Sequence, residues 1–212
     1  MQLERNGNNK LLEYAYKLLS KKEYSSYCLK EKLVLKGASE IEANEIVNHL
    51  IDKGYLNDDR LLSDIISRDN AKLYGKYKIL TQLKKYHLVT SDLNDRFPEE
   101  IELEKAKQLV SELEDKYVDL SYQKKVKQIH TYLARYGYET YVISEACEFI
   151  KPIDENSEHI NLIKDLNKAI LRNENIKDNY LLKQKVIKAL MAKGYRYNDI
   201  LIEWEALHNE IN

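Results

Sequence analysis

The 212-residue chain is poor in the residues that punctuate or staple a fold. It has two prolines, six glycines, two cysteines, one tryptophan and two phenylalanines. So little Pro and Gly excludes the turn-dense sequences of sandwiches and barrels and favours helices. Cys28 and Cys147 lie far apart with no partner spacing, which excludes a disulfide or cysteine-metal framework and predicts buried, reduced thiols. No run of 18 apolar residues exists, and M-Q-L-E-R-N-G-N-N-K lacks the apolar segment of a signal peptide. A cytoplasmic protein without a membrane segment is expected. With 34 basic and 35 acidic residues, net charge is −1, so bulk attraction to nucleic acid is absent. Any such binding must come from local segregation of charge.

Signatures of catalysis are missing as well. There is no G-x-x-x-x-G-K-[ST] loop and no G-x-G-x-x-G turn. His49, His87, His130, His159 and His208 show no i, i+4 pairing and no neighbouring Cys, so no metal site is expected. Glu99-Glu100 and Glu112-x-Glu114 fall on expected helix surface and read as solubilising charges. No catalytic residue and no cofactor is assigned.

What the chain does have is charge, at 33% of residues, and a recurring helical pattern. Leu33, Leu83, Leu133 and Leu190 share one frame, with Leu29, Ile79, Ile129 and Val186 four residues earlier. Gly37, His87, Gly137 and Gly194 stand four residues later, and Ala43, Leu93, Ile143 and Ile200 continue the frame. A helix-ending Gly in three of four copies marks an internal repeat. The expected fold is all-α: tandem three-helix repeats at 11–56, 57–97, 98–150 and 158–211, forming an elongated, curved array. Ser25 and Ser121 are expected to cap second helices, and Ser39-x-x-Glu42 to form a capping box. Pro98 suits a first helical turn, and 151–158 reads as a linker. Trp204 is expected to anchor the core of a terminal helix.

The most informative stretch runs from Gly54 to Leu83. Gly54 ends one helix, Asn57 or Asp58 caps the next, and Leu61, Leu62, Ile65 and Ile66 form its apolar stripe. Charge then changes sign: residues 67–89 hold six Lys/Arg against one acid, with Tyr74, Tyr77 and Tyr86 interleaved. Those tyrosines could stack on unpaired bases, or cover a core edge with wet hydroxyls. Arg60, beside Asp58, Asp59 and Asp64, reads as a structural ion-pair partner. Arg68, Lys72, Lys76, Lys78, Lys84 and Lys85 are the expected contacts to phosphates or to an acidic partner. Lys30, Lys32, Lys124, Lys125 and Lys127 on other second helices join them. Residues 98–120 carry −5 and 198–212 carry −4, while every second helix is positive. Stacked repeats would present a basic stripe; the alternative is ordinary solvated faces paired with acidic helices.

Y-L-N-D-D-R, an apolar pair, an Arg eight residues after the first, and Y-G-x-x-K-I together resemble the central signature of RecX proteins, regulators of the RecA recombinase. Leu61-Leu62 replaces the family's usual Phe-Ala, Lys76 its Pro, and Lys78 its Arg. K-K-V-K-Q-I-H-T-Y-L-A-R-Y-G-Y-E-T-Y-V-I and K-Q-K-V-I-K-A-L-M-A-K-G-Y-R-Y-N-D-I both resemble the family's closing motif, so the resemblance spans about residues 11–210. It implies a monomeric helical regulator in RecA-dependent DNA repair and the SOS response. Such a protein binds the RecA filament and, more weakly, DNA, either single-stranded or double-stranded, and inhibits ATP hydrolysis, strand exchange and filament growth. Two other readings remain open: a sequence-tolerant DNA-binding helical protein, and an adaptor for another protein.

Overall fold

The computed structural model describes residues 2–89 and 91–209, and these fold into α-helices joined by short turns. In chain order the helices are α1 (Gln2–Leu19), α2 (Ser26–Leu35), α3 (Glu40–Asp52), α4 (Asp58–Asn70) and α5 (Lys76–Lys85). A 3-10 helix (Ser91–Arg96) leads to α6 (Glu99–Lys116), α7 (Tyr122–Tyr136) and α8 (Thr140–Cys147). Then come α9 (Glu155–Leu171), α10 (Asn179–Met191) and α11 (Tyr197–Asn209). The limit of the last expected repeat, residue 211, lies outside the described residues.

Side-chain caps set where several helices begin. The Ser25 hydroxyl accepts the Cys28 N–H at 3.2 Å, opening α2. Ser39 and Glu42 form the full capping box of α3: the Ser39 N–H donates to the Glu42 carboxylate at 2.8 Å and the Glu42 N–H to the Ser39 hydroxyl at 3.2 Å. Asn57, rather than Asp58, caps α4 by accepting the Arg60 N–H at 2.8 Å. Asp178 does the same for α10, accepting from Tyr180 and Leu181. Each cap answers the same need, since a helix leaves its first N–H groups without internal partners.

The chain divides into two compact units, 1–102 with 136–139, and 103–135 with 140–212. In the first, α1 to α3 bury Ala15, Leu29, Leu33, Ala43 and Leu50 around one core. There α4 and α5 gather Leu61, Ile65, Ile79, Leu83, Leu88 and Phe97 around another. In the second unit, α9 to α11 close over Leu166, Val186, Leu190, Ile200 and Trp204. All twelve apolar positions of the repeat frame are buried, none more than 3% exposed. The turn residues Gly37, His87, Gly137 and Gly194 all have positive φ, at 105°, 54°, 87° and 96°. At three of these turns the same closing bond forms: the N–H of Ala38, Leu88 and Tyr195 donates to the carbonyl of Leu33, Leu83 and Leu190. A frame-matched leucine thus serves both the core and the helix stop.

Three local expectations are corrected. The expected repeat 57–97 closes on a six-residue 3-10 helix, Ser91–Arg96, in place of a third α-helix, because Asn and Asp favour local turns and Pro98 disfavours α geometry before it. Pro98 itself precedes α6, its carbonyl accepting from Ile101 and Glu102. The 151–158 linker is shorter than expected, since Asp154 accepts the Ser157 N–H and starts α9 at Glu155. Both cysteines are half-buried rather than buried, and burial pushes the Cys147 thiol up.

The Ser39 backbone and hydroxyl hydrogen bonds hold the Glu42 carboxyl below its usual range. A depressed carboxyl stabilises above its unfolded pKa, about 4.3 for Glu, and that contribution is lost as pH falls through the lower folded value. Ser39→Ala is expected to lower the thermal midpoint by about 2–4 °C at neutral pH, with the deficit shrinking in acid. Circular dichroism melts at neutral and acidic pH check this.

Candidate partner interface

The basic helix α5 carries the densest group of candidate cations, and its N-terminus is tightly held. Gly75 precedes it and makes no side-chain cap. Instead the Lys76 N–H donates to the Glu102 carboxylate at 2.8 Å, and Glu102 is 5% exposed. The Gly75 and Tyr77 N–H groups donate to the carbonyls of Tyr136 and Gly137 at 2.9 and 3.0 Å. The Tyr138 hydroxyl donates to the Leu73 carbonyl at 2.7 Å. Burial, with the Glu102 charge second, pushes the Tyr138 phenol up and keeps it a donor. A Cβ on Gly75 would fall 2.6 Å from Gly137 backbone atoms, and one on Gly137 would fall 2.4 Å from the Lys78 nitrogen. Both glycines are there for close approach of two backbones.

The same kind of junction occurs at two more second helices. At α2 the Ser26 N–H donates to Asp58 at 2.8 Å, the Cys28 thiol reaches the Lys85 carbonyl at 3.4 Å, and Tyr27 stacks on His87. At α7 the Tyr122 N–H donates to Glu158 at 3.1 Å, the Ser121 hydroxyl donates to the Lys193 carbonyl, and Gln123 packs on Gly194. Burial holds the Glu158 carboxyl above its usual range, against the lowering effects of that N–H and of Lys125. Each carboxylate stands three and four residues before a buried pair of its own helix: Leu61-Leu62, Lys105-Ala106 and Asn161-Leu162. That spacing is a sequence signal, and sequence reasoning passed over it, along with Gly75, Glu102 and Glu139.

The eleven candidate cations sort by what they touch. Arg68 reaches Glu23 and the buried Asp69, both at 3.5 Å, and Lys72 reaches Asp69 at 3.7 Å. Asp69 Oδ2 is left without a hydrogen-bond donor. Lys76 pairs with Glu139 at 3.1 Å and Lys30 with Glu40 at 2.7 Å. Lys78 lies over the rings of Tyr74 and Tyr136, at 3.9 and 4.5 Å. Lys125 is buried, 7% exposed. Lys32, Lys84, Lys85 and Lys127 are exposed and Lys124 half-buried, with no described carboxylate at ion-pair distance. The Lys85 ammonium donates to the Gln82 side-chain oxygen at 3.2 Å. Tyr74 and Tyr86 pack against the core, whereas Tyr77 is exposed. Arg60 pairs with Asp64 at 3.6 Å, as its spacing predicts. Among the described residues no cluster of His, Cys, Asp or Glu could hold a metal; the His208 side chain lies outside them. No described helix is long and apolar enough to cross a membrane.

No protein-family profile matches the chain. It is 33% identical over 145 residues to the regulatory protein RecX of Acinetobacter baylyi, covering 68% of this chain and 91% of that protein. It is 28% identical over 213 residues to the regulatory protein RecX of Listeria monocytogenes, covering 92% and 73%. Among solved structures, RecX from Lactobacillus salivarius matches 69% of this chain and 97% of its own, with TM-score 0.58 and 23% identity. A second RecX crystal structure matches at TM-score 0.54 and 20% identity. These two share the helical fold.

Gly137→Ala is expected to part the α5 N-terminus from residues 136–139, because the added methyl meets Lys78 backbone and the φ of 87° disfavours alanine. Hydrogen exchange at the Gly75 and Tyr77 amides should speed by at least tenfold. Exchange at the Glu42 amide, in a separate cap, should not change.

Proposed function

Since the chain belongs to the RecX family, we propose that it regulates RecA by binding the RecA–single-stranded-DNA filament. There it inhibits ATP hydrolysis, strand exchange and filament growth. The observation that carries this reading is on α5. Four of its region's six cations are engaged within the protein, while Lys84 and Lys85 stand exposed on the last turn with no described carboxylate in reach. Cations left in solvent keep their charge for an anionic partner, a phosphate or an acidic protein face.

Four three-helix repeats, 11–56, 57–97, 98–150 and 158–211, are the proposed modules. The shared frame and the four positive-φ turns support that division. Each repeat offers one basic second helix, so contacts that are individually modest can add through avidity on a polymeric partner. In repeat four the second helix has its own cap, Asp178, and its cations Lys183 and Lys193 pair with Glu205 and Asp165. Lys185 and Lys188 on the same helix stay exposed, so repeat four also presents cations. Cytoplasmic residence and a monomeric state complete the proposal.

Lys84→Glu together with Lys85→Glu is expected to weaken co-sedimentation with RecA filaments at least tenfold while leaving the thermal midpoint within about 2 °C. Unchanged filament binding by this variant would sink the assignment of α5 as the contact.

A further inference from the structure

The α2–α5 junction differs from its two counterparts in one respect. At the other two, the left-handed turn residue is Gly137 or Gly194, and a Cβ there would strike the helix seated against it. At this one the turn residue is His87, at φ 54°, a left-handed conformation that histidine enters more readily than most side chains. Its imidazole lies on the Tyr27 ring with centroids 3.9 Å apart and planes 28° apart. Tyr27 is 47% exposed and His87 is exposed as well, so the stack opens to solvent instead of filling a core. Tyr77, at the matching place on α5, faces Gly137 and has no ring to stack on. The ring at this turn is thus free of the core and open on its outer face, as a stacking surface requires.

The neighbours fix the chemistry. Lys84 and Lys85 lie three and two residues before His87, both exposed and with no ion-pair partner among the described residues. The Lys85 carbonyl is tied to the Cys28 thiol, so the lysines and the stack belong to one rigid corner. We propose that Tyr27 and His87 form a stacking platform for an unpaired nucleobase, with Lys84 and Lys85 on the flanking phosphates. An acidic protein surface would use the lysines alone and leave the rings idle. Duplex DNA buries its base faces, so the platform selects single strands. The inference rests on α5 being a contact surface, and adds to it the strand and the residues that hold it.

The test uses the full-length protein and an oligothymidylate carrying one 5-iodouracil. Photocrosslinking followed by peptide mapping should place the adduct on Tyr27 or His87. By fluorescence anisotropy, Tyr27→Leu and His87→Gly should each bind about tenfold more weakly, the loss of one stacked base, with the salt slope unchanged. Tyr27→Phe should bind within about twofold of the unaltered chain. Lys84→Gln with Lys85→Gln should lower the salt slope by about 1.4, two phosphate contacts on a single strand. His87→Gly matches the glycine of the sister turns, so its thermal midpoint should hold and a folding defect cannot mimic the loss. Crosslinks elsewhere only, with Tyr27→Leu binding undiminished, would overturn the platform and leave the lysine contact standing. A chain that binds no oligonucleotide yet still acts on RecA filaments overturns the platform alone. Lysine variants unchanged in both assays overturn the reading of α5 as well.

Discussion

A helix that starts inside a protein must find acceptors for N–H groups that its own turns cannot satisfy. Three of the four basic helices here solve this with a carboxylate from the first turn of a later helix: Asp58 for α2, Glu102 for α5 and Glu158 for α7. A charged acceptor at a helix N-terminus gains from both the hydrogen bond and the macrodipole. The arrangement also fixes each helix against a helix two elements further along the chain, because the acceptor is not its own. The tight Gly75–Gly137 approach, the Tyr138–Leu73 bond and the Lys76–Glu139 pair all depend on α5 starting where Glu102 places it. α10 has no such donor of a carboxylate and carries Asp178 instead.

That constraint decides which cations remain for a partner. The N-terminal half of α5 is used internally, with Lys76 in an ion pair and Lys78 between two tyrosine rings. Arg68 and Lys72 converge on Asp69, whose side chain is 4% exposed, and so neutralise a carboxylate that could not stay buried alone. Of the eleven candidate cations, Lys84 and Lys85 on the last turn of α5, Lys32 on α2 and Lys127 on α7 are left exposed. A near-neutral protein can present a local cationic surface in this way without bulk attraction to nucleic acid.

Much of the fold was legible in the sequence, because the signals were local and periodic. Leu33, Leu83, Leu133 and Leu190 recur with a turn residue four places on, and both the burial and the left-handed turn follow from that pattern. The Ser39 box was readable for the same reason, and the cap of α4 as one of two neighbours, Asn57 or Asp58. The candidate interface was legible only as a list of cations. Whether a lysine is free depends on Glu139, Tyr136 or Glu40 arriving from distant parts of the chain, and no local pattern carries that. Ser91–Arg96 takes 3-10 geometry because a short segment rich in Asn and Asp, closed by Phe97-Pro98, gains little from α-helical bonding. The exception at position 87 is informative in hindsight: a histidine in a frame of glycines was visible from the start, and its ring partner was not.

The central claim is that this chain acts on the RecA filament. The most direct measurement is RecA's single-strand-DNA-dependent ATP hydrolysis, with RecA from the same source and increasing amounts of this protein. Suppression at a small fraction of the RecA concentration is the predicted result, since a filament amplifies each bound regulator over many protomers. Hydrolysis unchanged up to equimolar amounts would contradict the claim and leave a helical adaptor for another protein as the better description.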